Sequence, residues 1–489
     1  MELENYRVRK INRFPVCGFA GRRRIETAVQ KITRDNVVAV LNASLATHAK
    51  NASEIEYLYG YYRGIQDIQY KVKLVRESIN NKVVVNRANE IVTFKTAYLL
   101  NAPIQYISYG GEEKVSDAVN RLNEYMRAED KDTKDKEIID WMHICGVGVR
   151  LTLDDKDYGD GKVDGAPFRI FTLDPREAYV IYSSGIGKER LAGVILQQDE
   201  DGKTYADVYT KDMHYVIKGG AVVAEFQSMY GDVPLVEYLN NNARLGAFES
   251  VISLLNSINA LESDAVDNVN DCVNGFDVFQ NCDIADGDYS TLSIGGKAVK
   301  IKSTAPGVEA KVYRVFSEMS QTGLQTRIDD MTDAYLTICG MPNRNGGLST
   351  SDTGTATIFR DGWAEAESRA KDSENLFSKS ERETLRIVLR ICEIQDSGKN
   401  DLGLKVSDIK TEFLRKNLAN LQSKTQVLCE LLNNNWVHPK LAFEAASLFK
   451  DNEEAFRISA EYHDERVREQ EEQLKLDLDN ARKAAQGNV

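Results

Sequence analysis

The chain has 489 residues, with Lys+Arg 62 against Asp+Glu 75 and a formal net charge of −13, enough length for two to four domains. No apolar run approaches the roughly 18–20 residues that span a bilayer and no apolar stretch follows the basic start, so neither membrane insertion nor export through a signal peptide is expected. Seven cysteines without a CxxC pair exclude a disulfide scaffold and a zinc ribbon, and the acidic balance argues against tight, sequence-neutral DNA binding, which draws its affinity from neutralised phosphates.

Residues 1–35 are locally basic, with Arg7, Arg9, Lys10, Arg13 and Arg22-Arg23-Arg24. They suit an arm lying on nucleic acid or an acidic neighbour, or a solvated and partly ordered tail, which is favoured. From Thr33 the pattern turns helical. Asp35 can cap a helix carrying Val37, Val38, Leu41 and Leu45, and a second helix is expected from Ser53 to Tyr62, with Glu56 in capping-box spacing. A third covers Asn86–Leu100 and stops before Pro103, and residues 116–145 read as a helical pair. The period then changes to two. Val147, Val149, Leu151 and Leu153 alternate with Gly148, Arg150 and Thr152, a strand with one buried face. Further strands are expected at Phe168–Leu173, Ala178–Tyr182, Leu191–Gln197, Tyr205–Tyr209, His214–Ile217 and Val222–Gln227, forming a mostly antiparallel sheet.

Ala243–Val273 reads as one helix, about 45 Å long at 1.5 Å per residue. Its second half (Glu262, Asp264, Asp267, Asn268, Asn270, Asp271) is polar on much of its circumference, so it must meet other helices or line a wet space. Two short strands, Phe276–Gln280 and Ala298–Lys302, precede a second long helix over Lys311–Cys339. The run from Gly340 to Gly354 holds Asn343, Arg344, Asn345, Gly346, Gly347, Ser349 and Thr350 and suits no regular element; long loops of this kind carry function or are disordered. A third long helix follows over Ala356–Glu393, then a strand at Lys405–Phe413, shorter helices broken at Trp436-Val437-His438-Pro439, and a charged tail from Asp464 that reads as a frayed helix.

Catalytic signatures are missing. Gly159-Asp160-Gly161-Lys162 is followed by Val163 where a phosphate loop needs Ser or Thr, and there is no GxSxG, HExxH or GxGxxG. The five histidines (His48, His143, His214, His438, His463) have no partner at i+3 or i+4 and read as structural. The acidic run Asp154 to Asp164 fails as a calcium loop, because Gly159 and Ala166 stand where carboxylates are required, and reads instead as a polar hairpin tip. No catalytic residue, cofactor or metal site is expected.

Three stretches resemble the portal proteins of long-tailed phages and prophages of Gram-positive bacteria. The first is Tyr61-Tyr62-Arg63-Gly64-Ile65-Gln66-Asp67-Ile68 with Asn80–Asn86 and Pro103-Ile104-Gln105-Tyr106. The second is Pro342 through Thr357, and the third Leu448–Asp451 with Glu454, Arg457, Ile458 and Glu461, from which Asn452 and Phe456 depart. The resemblance implies an α+β portal fold with long stem helices, a mixed or antiparallel β wing, a small β clip and a helical crown. Its parts would be a basic arm at 1–35, wing at 36–242, stem helices at 243–273 and 313–340 around a clip at 274–312, a tunnel loop at 341–354, a long wing helix at 355–400, crown at 401–463 and a charged tail at 464–489. It implies a homododecameric ring at one capsid vertex of the virion, assembled in the host cytoplasm, through which double-stranded DNA is packaged and ejected. The implied partners are other copies of the chain, the terminase motor, a head–tail adaptor and the major capsid or scaffolding protein, with no membrane. Asn343, Arg344 and Asn345 are expected to approach the DNA backbone, with Gly346 and Gly347 letting the loop move and Ser349 and Thr350 beside them. Lys297, Lys300 and Lys302 would guide DNA or face the adaptor, although lysines on an edge strand also simply discourage aggregation. The rivals are a nuclease or ATPase of mobile DNA and a cytoplasmic helical scaffold.

Overall fold

A computed structural model describes residues 21–73, 79–109, 113–156, 158, 165–273, 276–281, 307–309, 311–315, 321–343, 362–395, 402–413, 421–434, 436–446, 448–449 and 452–486. It is mixed helix and sheet, 53% helical and 19% strand. The described chain falls into two compact units, one from Tyr57–Ile91 and Phe248–Asn343, the other from Phe19–Glu56, Val92–Ala247 and the residues after Arg344.

The larger unit is built on two sheets. One has six strands, β1 (Ile25–Thr27), β5 (Ala178–Ser183), β6 (Arg190–Gln198), β7 (Thr204–Thr210), β8 (Met213–Lys218) and β9 (Ala221–Gln227), in that spatial order. Only β1 and β5 pair parallel. The other has three antiparallel strands, with β3 (Val147–Asp154) between β10 (Leu235–Leu239) and β4 (Phe168–Leu173). Val149, Leu151, Ala178, Val180, Ile195, Val233 and Leu235 fill the space between the sheets. Gly193 is required there, because a Cβ on it would lie 2.5 Å from that of Leu235. Val37, Val40 and Leu41 of helix α1 (Val37–Tyr62) pack on the far face of the six-stranded sheet, against Tyr179, Ile181, Val194 and Val208. On the far face of the three-stranded sheet, Ile138, Ile139 and Met142 of α4 (Lys131–Cys145) and Phe377, Leu385, Val388 and Ile391 of α7 (Trp363–Gln395) share a core with Phe168, Ile170, Val236 and Tyr238.

The expected strands lie where the period-two runs placed them, but β3 is buried on both faces rather than one. Its Arg150 is fully buried at the centre of a charged cluster. Arg150 Nη2 meets Asp135 Oδ1 at 2.5 Å and its Nη1 meets Glu381 Oε2 at 3.1 Å. Lys131 Nζ lies 2.5 Å from Asp135 Oδ2 and 3.2 Å from Glu381 Oε1. Tyr106 on β2 (Gln105–Ser108) and Tyr238 on β10 both donate to Glu381, the latter at 2.6 Å. Two cations and two anions thus cancel in a dry core reached from α4, α7, β2, β3 and β10. Burial alone would raise the Glu381 carboxyl, but Lys131 and Arg150 hold it well below the usual carboxylate range.

Other expectations change in the same unit. The two helices foreseen before Tyr62 are one continuous α1. Asn51, which weakens the helical pattern there, stays helical and turns its amide to the main chain of Arg23, accepting from its N–H at 3.0 Å and donating to its carbonyl at 2.8 Å. That contact, a Glu54 carboxylate 3.3 Å from Arg22, and the β1–β5 pairing fix residues 22–27, so this part of the basic arm is anchored and ends in an edge strand rather than being a solvated tail. The Asp154–Asp164 run does open a hairpin turn between β3 and β4; residues 157 and 159–164 lie outside the described residues. The strand expected over 405–413 is a short turn followed by β13 (Ile409–Glu412), paired with β2. Helices α8 (Leu421–Leu432), α9 (Pro439–Ala446) and α10 (Asn452–Gln486) follow, with Pro439 opening α9. The charged tail continues α10, its side chains exposed from Glu461 to Lys475.

Replacing Glu381 by Gln keeps its size but leaves two buried cations with one anion. The variant should unfold about 3–5 kcal/mol more easily in urea; a midpoint shift worth less than 1 kcal/mol would show the cluster to be incidental.

Candidate functional site

In the smaller unit the expected helix from Ala243 begins only at Ile252, as α5 (Ile252–Val273), after a short 3-10 turn at Glu249–Val251. Residues before it are held as a turn, with Arg244 at φ +60° and Asn241 Oδ1 accepting from the Leu245 N–H at 3.0 Å. The helix is therefore about 33 Å long. Its expected partner starting at Lys311 is instead a strand, β12 (Lys311–Val315), paired antiparallel with β11 (Phe276–Gln280), and α6 covers only Gln321–Cys339. Lys-Val-Tyr-Arg-Val is rich in β-branched and aromatic residues, so strand propensity wins over helix at 311–315. The strand foreseen at 298–302 lies outside the described residues.

The polar face of α5 has a specific occupant. Asn259, Ser263 and Asp267, four residues apart, are buried. Each accepts a main-chain N–H from the extended segment 79–86: Asn259 Oδ1 from Val85 at 2.8 Å, Ser263 Oγ from Val83 at 3.0 Å, and Asp267 Oδ1 from Asn81 at 2.7 Å. The fit is geometric. Four helical residues rise about 6 Å, and two extended residues advance about 6.6 Å, so every second amide meets every fourth side chain. The expectation that this face meets other helices or a wet space is thus corrected: it binds an extended strap of the same chain.

Lysines close the arrangement. Lys73 Nζ lies 3.0 Å from Asp267 Oδ2, and Lys71 Nζ lies 2.6 Å from Asp264 Oδ1. Gln66 links the strap to its own turn, accepting from Asn259 Nδ2 at 2.5 Å and donating to Asn86 Oδ1 at 3.1 Å. Burial works against the Asp267 charge, but the Asn81 amide and Lys73 prevail and bring its carboxyl down to about 2. Helix α5 has four carboxylates and no Lys or Arg, yet two of the four are paired in this way. On α6, Asp329, Asp330 and Asp333 are exposed beside Arg327, leaving that face net acidic. The inner side of α6 buries Ile328, Tyr335, Leu336 and Cys339, with Tyr335 donating to Glu90 at 3.4 Å. Burial first, and then Glu90 against the opposing Arg87, pushes the Tyr335 phenol up to about 12.

Of the residues singled out from the sequence, Asn343 is described: its Nδ2 donates to Asp333 Oδ1 of α6 at 2.8 Å, so it is held back on the helix. Arg344, Asn345, Gly346, Gly347, Ser349 and Thr350, and likewise Lys297, Lys300 and Lys302, lie outside the described residues. Asn259, Ser263 and Asp267 were missed as a set, although their i, i+4, i+8 spacing was readable. Among the described residues no group of His, Cys, Asp and Glu could hold a metal ion, and no helix is long and apolar enough to cross a membrane.

Two helices around a small β pair, with a strap laid along the first, occupy the region where the sequence resemblance expects a stem and clip. A family model described as phage portal protein, SPP1 Gp6-like, matches residues 41–469. The chain belongs to that portal family. A comparison with curated proteins returns no match. The family is structural rather than enzymatic, and its members sit in the virion capsid. In this portal protein the Tyr61–Ile68 and Asn80–Asn86 stretches that carried the resemblance are those that turn into, and form, the strap on α5.

Asp267→Asn removes the charge that both lysines and two Asn81 donors share. The variant should lose about 1.5–3 kcal/mol of stability, with faster amide exchange at Asn81 and Val83. In the unmodified protein the Asp267 contribution is complete above pH about 4, where the unfolded carboxyl is ionised, and disappears as pH falls through about 2. Equal exchange at Asn81 in the two proteins would refute the strap's dependence on this carboxylate.

Proposed function

We propose that copies of this portal protein join side by side into a closed dodecameric ring at one capsid vertex, the channel for genome packaging and ejection. The match to the portal family over most of the chain carries this reading, and the helix–β pair–helix order of α5, β11–β12 and α6 supports it. Head-to-tail interfaces between identical copies close naturally into rings when the rotation allows. The paired helices serve as stem, the β11–β12 region as clip and docking site for the terminase and later the head–tail adaptor, and the sheet-bearing unit as wing.

A duplex that must pass in both directions is served by walls that do not hold it. The exposed carboxylates of α6 meet that requirement, since each phosphate neutralised by the wall would tighten binding and make it more salt-dependent. The few basic positions after α6, Arg344 foremost, guide the DNA backbone between Asn343 and Asn345.

Negative-stain images of the purified protein should show rings with a central hole. Compact monomers at every concentration and salt tested would overturn the ring and, with it, the channel. Arg344→Glu should leave ring assembly intact and lower the yield of packaged DNA severalfold; unchanged yield would remove Arg344 from the mechanism. Metal-dependent hydrolysis of DNA or ATP by the purified chain would favour the nuclease or ATPase alternative.

A further inference from the structure

Helices α8–α10 make a core of their own, in which Leu428, Ala442, Phe443 and Ala446 are buried and Ala455 and Phe456 of α10 pack against them. Two of the four buried side chains are methyl groups, and so small a core returns little against the cost of ordering three helices. The helices are also unequal. At 1.5 Å per residue, the 12 residues of α8 and the 8 of α9 run about 18 and 12 Å, while the 35 of α10 run about 52 Å. The side of α10 that carries Ala455 and Phe456 therefore outlasts the two short helices that pack on it.

That side stays apolar past the end of its cover. Residues seven or eleven apart come round to within about 20° of one another on a helix. Tyr462 follows Ala455 by seven, Val467 follows Phe456 by eleven, and Leu474 follows Val467 by seven. Tyr462 and Leu474 are 61% and 65% exposed. A second bare apolar set, Leu432, Trp436 and Leu441, lies around the turn from α8 to α9. Large apolar side chains exposed in this number on a small bundle mark an interaction surface. Charge decides which surfaces can meet. Glu461–Lys475 carries six carboxylates against Arg466, Arg468 and Lys475, so two α10 helices side by side repel. Leu421–Ala446 balances Lys424 and Lys440 against Glu430 and Glu444 and presents no such barrier.

We propose that α10 of one copy covers the α8–α9 turn of a second copy, its Tyr462–Leu474 face lying against Leu432, Trp436 and Leu441. This contact deepens the ring reading above and rests on it. The two apolar sets lie on different elements of one chain, so each copy offers one set to each neighbour, the head-to-tail arrangement that closes rings. Trp436 gives a clean test, because a side chain 96% exposed has almost no packing to lose within its own chain. In rings of Trp436→Ser, the amides of residues 461–475 should exchange about tenfold faster than in unmodified rings. Trp436→Cys combined with Tyr462→Cys, with the exposed Cys429 replaced by Ser, should give on oxidation a ladder of covalent oligomers beyond the dimer, whereas neither Trp436→Cys nor Tyr462→Cys alone should. Normal rings without a ladder, in which Trp436→Ser leaves exchange over 461–475 unchanged, would overturn the contact and leave the ring standing. Covalent dimers from Tyr462→Cys alone would overturn it by showing α10 against α10. Exchange that is fast in rings of the pure chain and slows only in assembled capsids would give the face to another virion protein and overturn it as well. Monomers in place of rings would overturn the ring reading and this contact with it.

Discussion

Four charges without access to water hold the sheet-bearing unit together. Lys131 and Asp135 lie one helical turn apart on α4, Arg150 comes from the middle strand of the three-stranded sheet, and Glu381 comes from α7. None of these side chains is tolerable alone in such a place, because the desolvation of an unpaired ion exceeds what packing returns. Their mutual neutralisation ties the register of β3 to the rotation of α7 and the position of α4. The hydroxyls of Tyr106 and Tyr238 complete the shell around Glu381, bringing β2 and β10 under the same constraint. An apolar core can slide and repack; a salt-bridged cluster of fixed geometry cannot.

The smaller unit solves a different problem. An extended segment with no neighbouring strand has main-chain donors to satisfy, and α5 supplies acceptors from side chains rather than from another backbone. The near-equality of two strand steps and one helical repeat makes three successive rungs possible. The helix proposed as part of a channel wall keeps two of its carboxylates neutralised by Lys71 and Lys73, while the acidic groups of α6 stay exposed.

Much of this was legible beforehand. The alternating runs from Val147 to Gln227 located seven strands because a half-buried strand writes its period directly into the sequence. The long helices α5, α6 and α7 and the break at Trp436–Pro439 were equally visible. Arg150 was misplaced because alternation reports a polar side chain, and only tertiary structure tells whether that side chain meets solvent or a buried partner. Strands β1, β2 and β10 were passed over since three to five residues carry too little pattern. The α1 helix looked like two because Asn51 weakens the local signal while serving a contact 28 residues away. The polar stripe on α5 was noticed, but its occupant lies some 180 residues earlier, a distance that helix periodicity cannot bridge.

The strap and its helix carry unequal burdens in evolution. At Val83 and Val85 the strap contributes only its peptide N–H, which every amino acid but proline possesses. Positions 259 and 263 on α5 must each present an oxygen of the right reach. Drift among relatives should therefore be lopsided: positions 83 and 85 of the strap free to change their side chains as long as they avoid proline, the facing helix positions confined to a narrow alphabet.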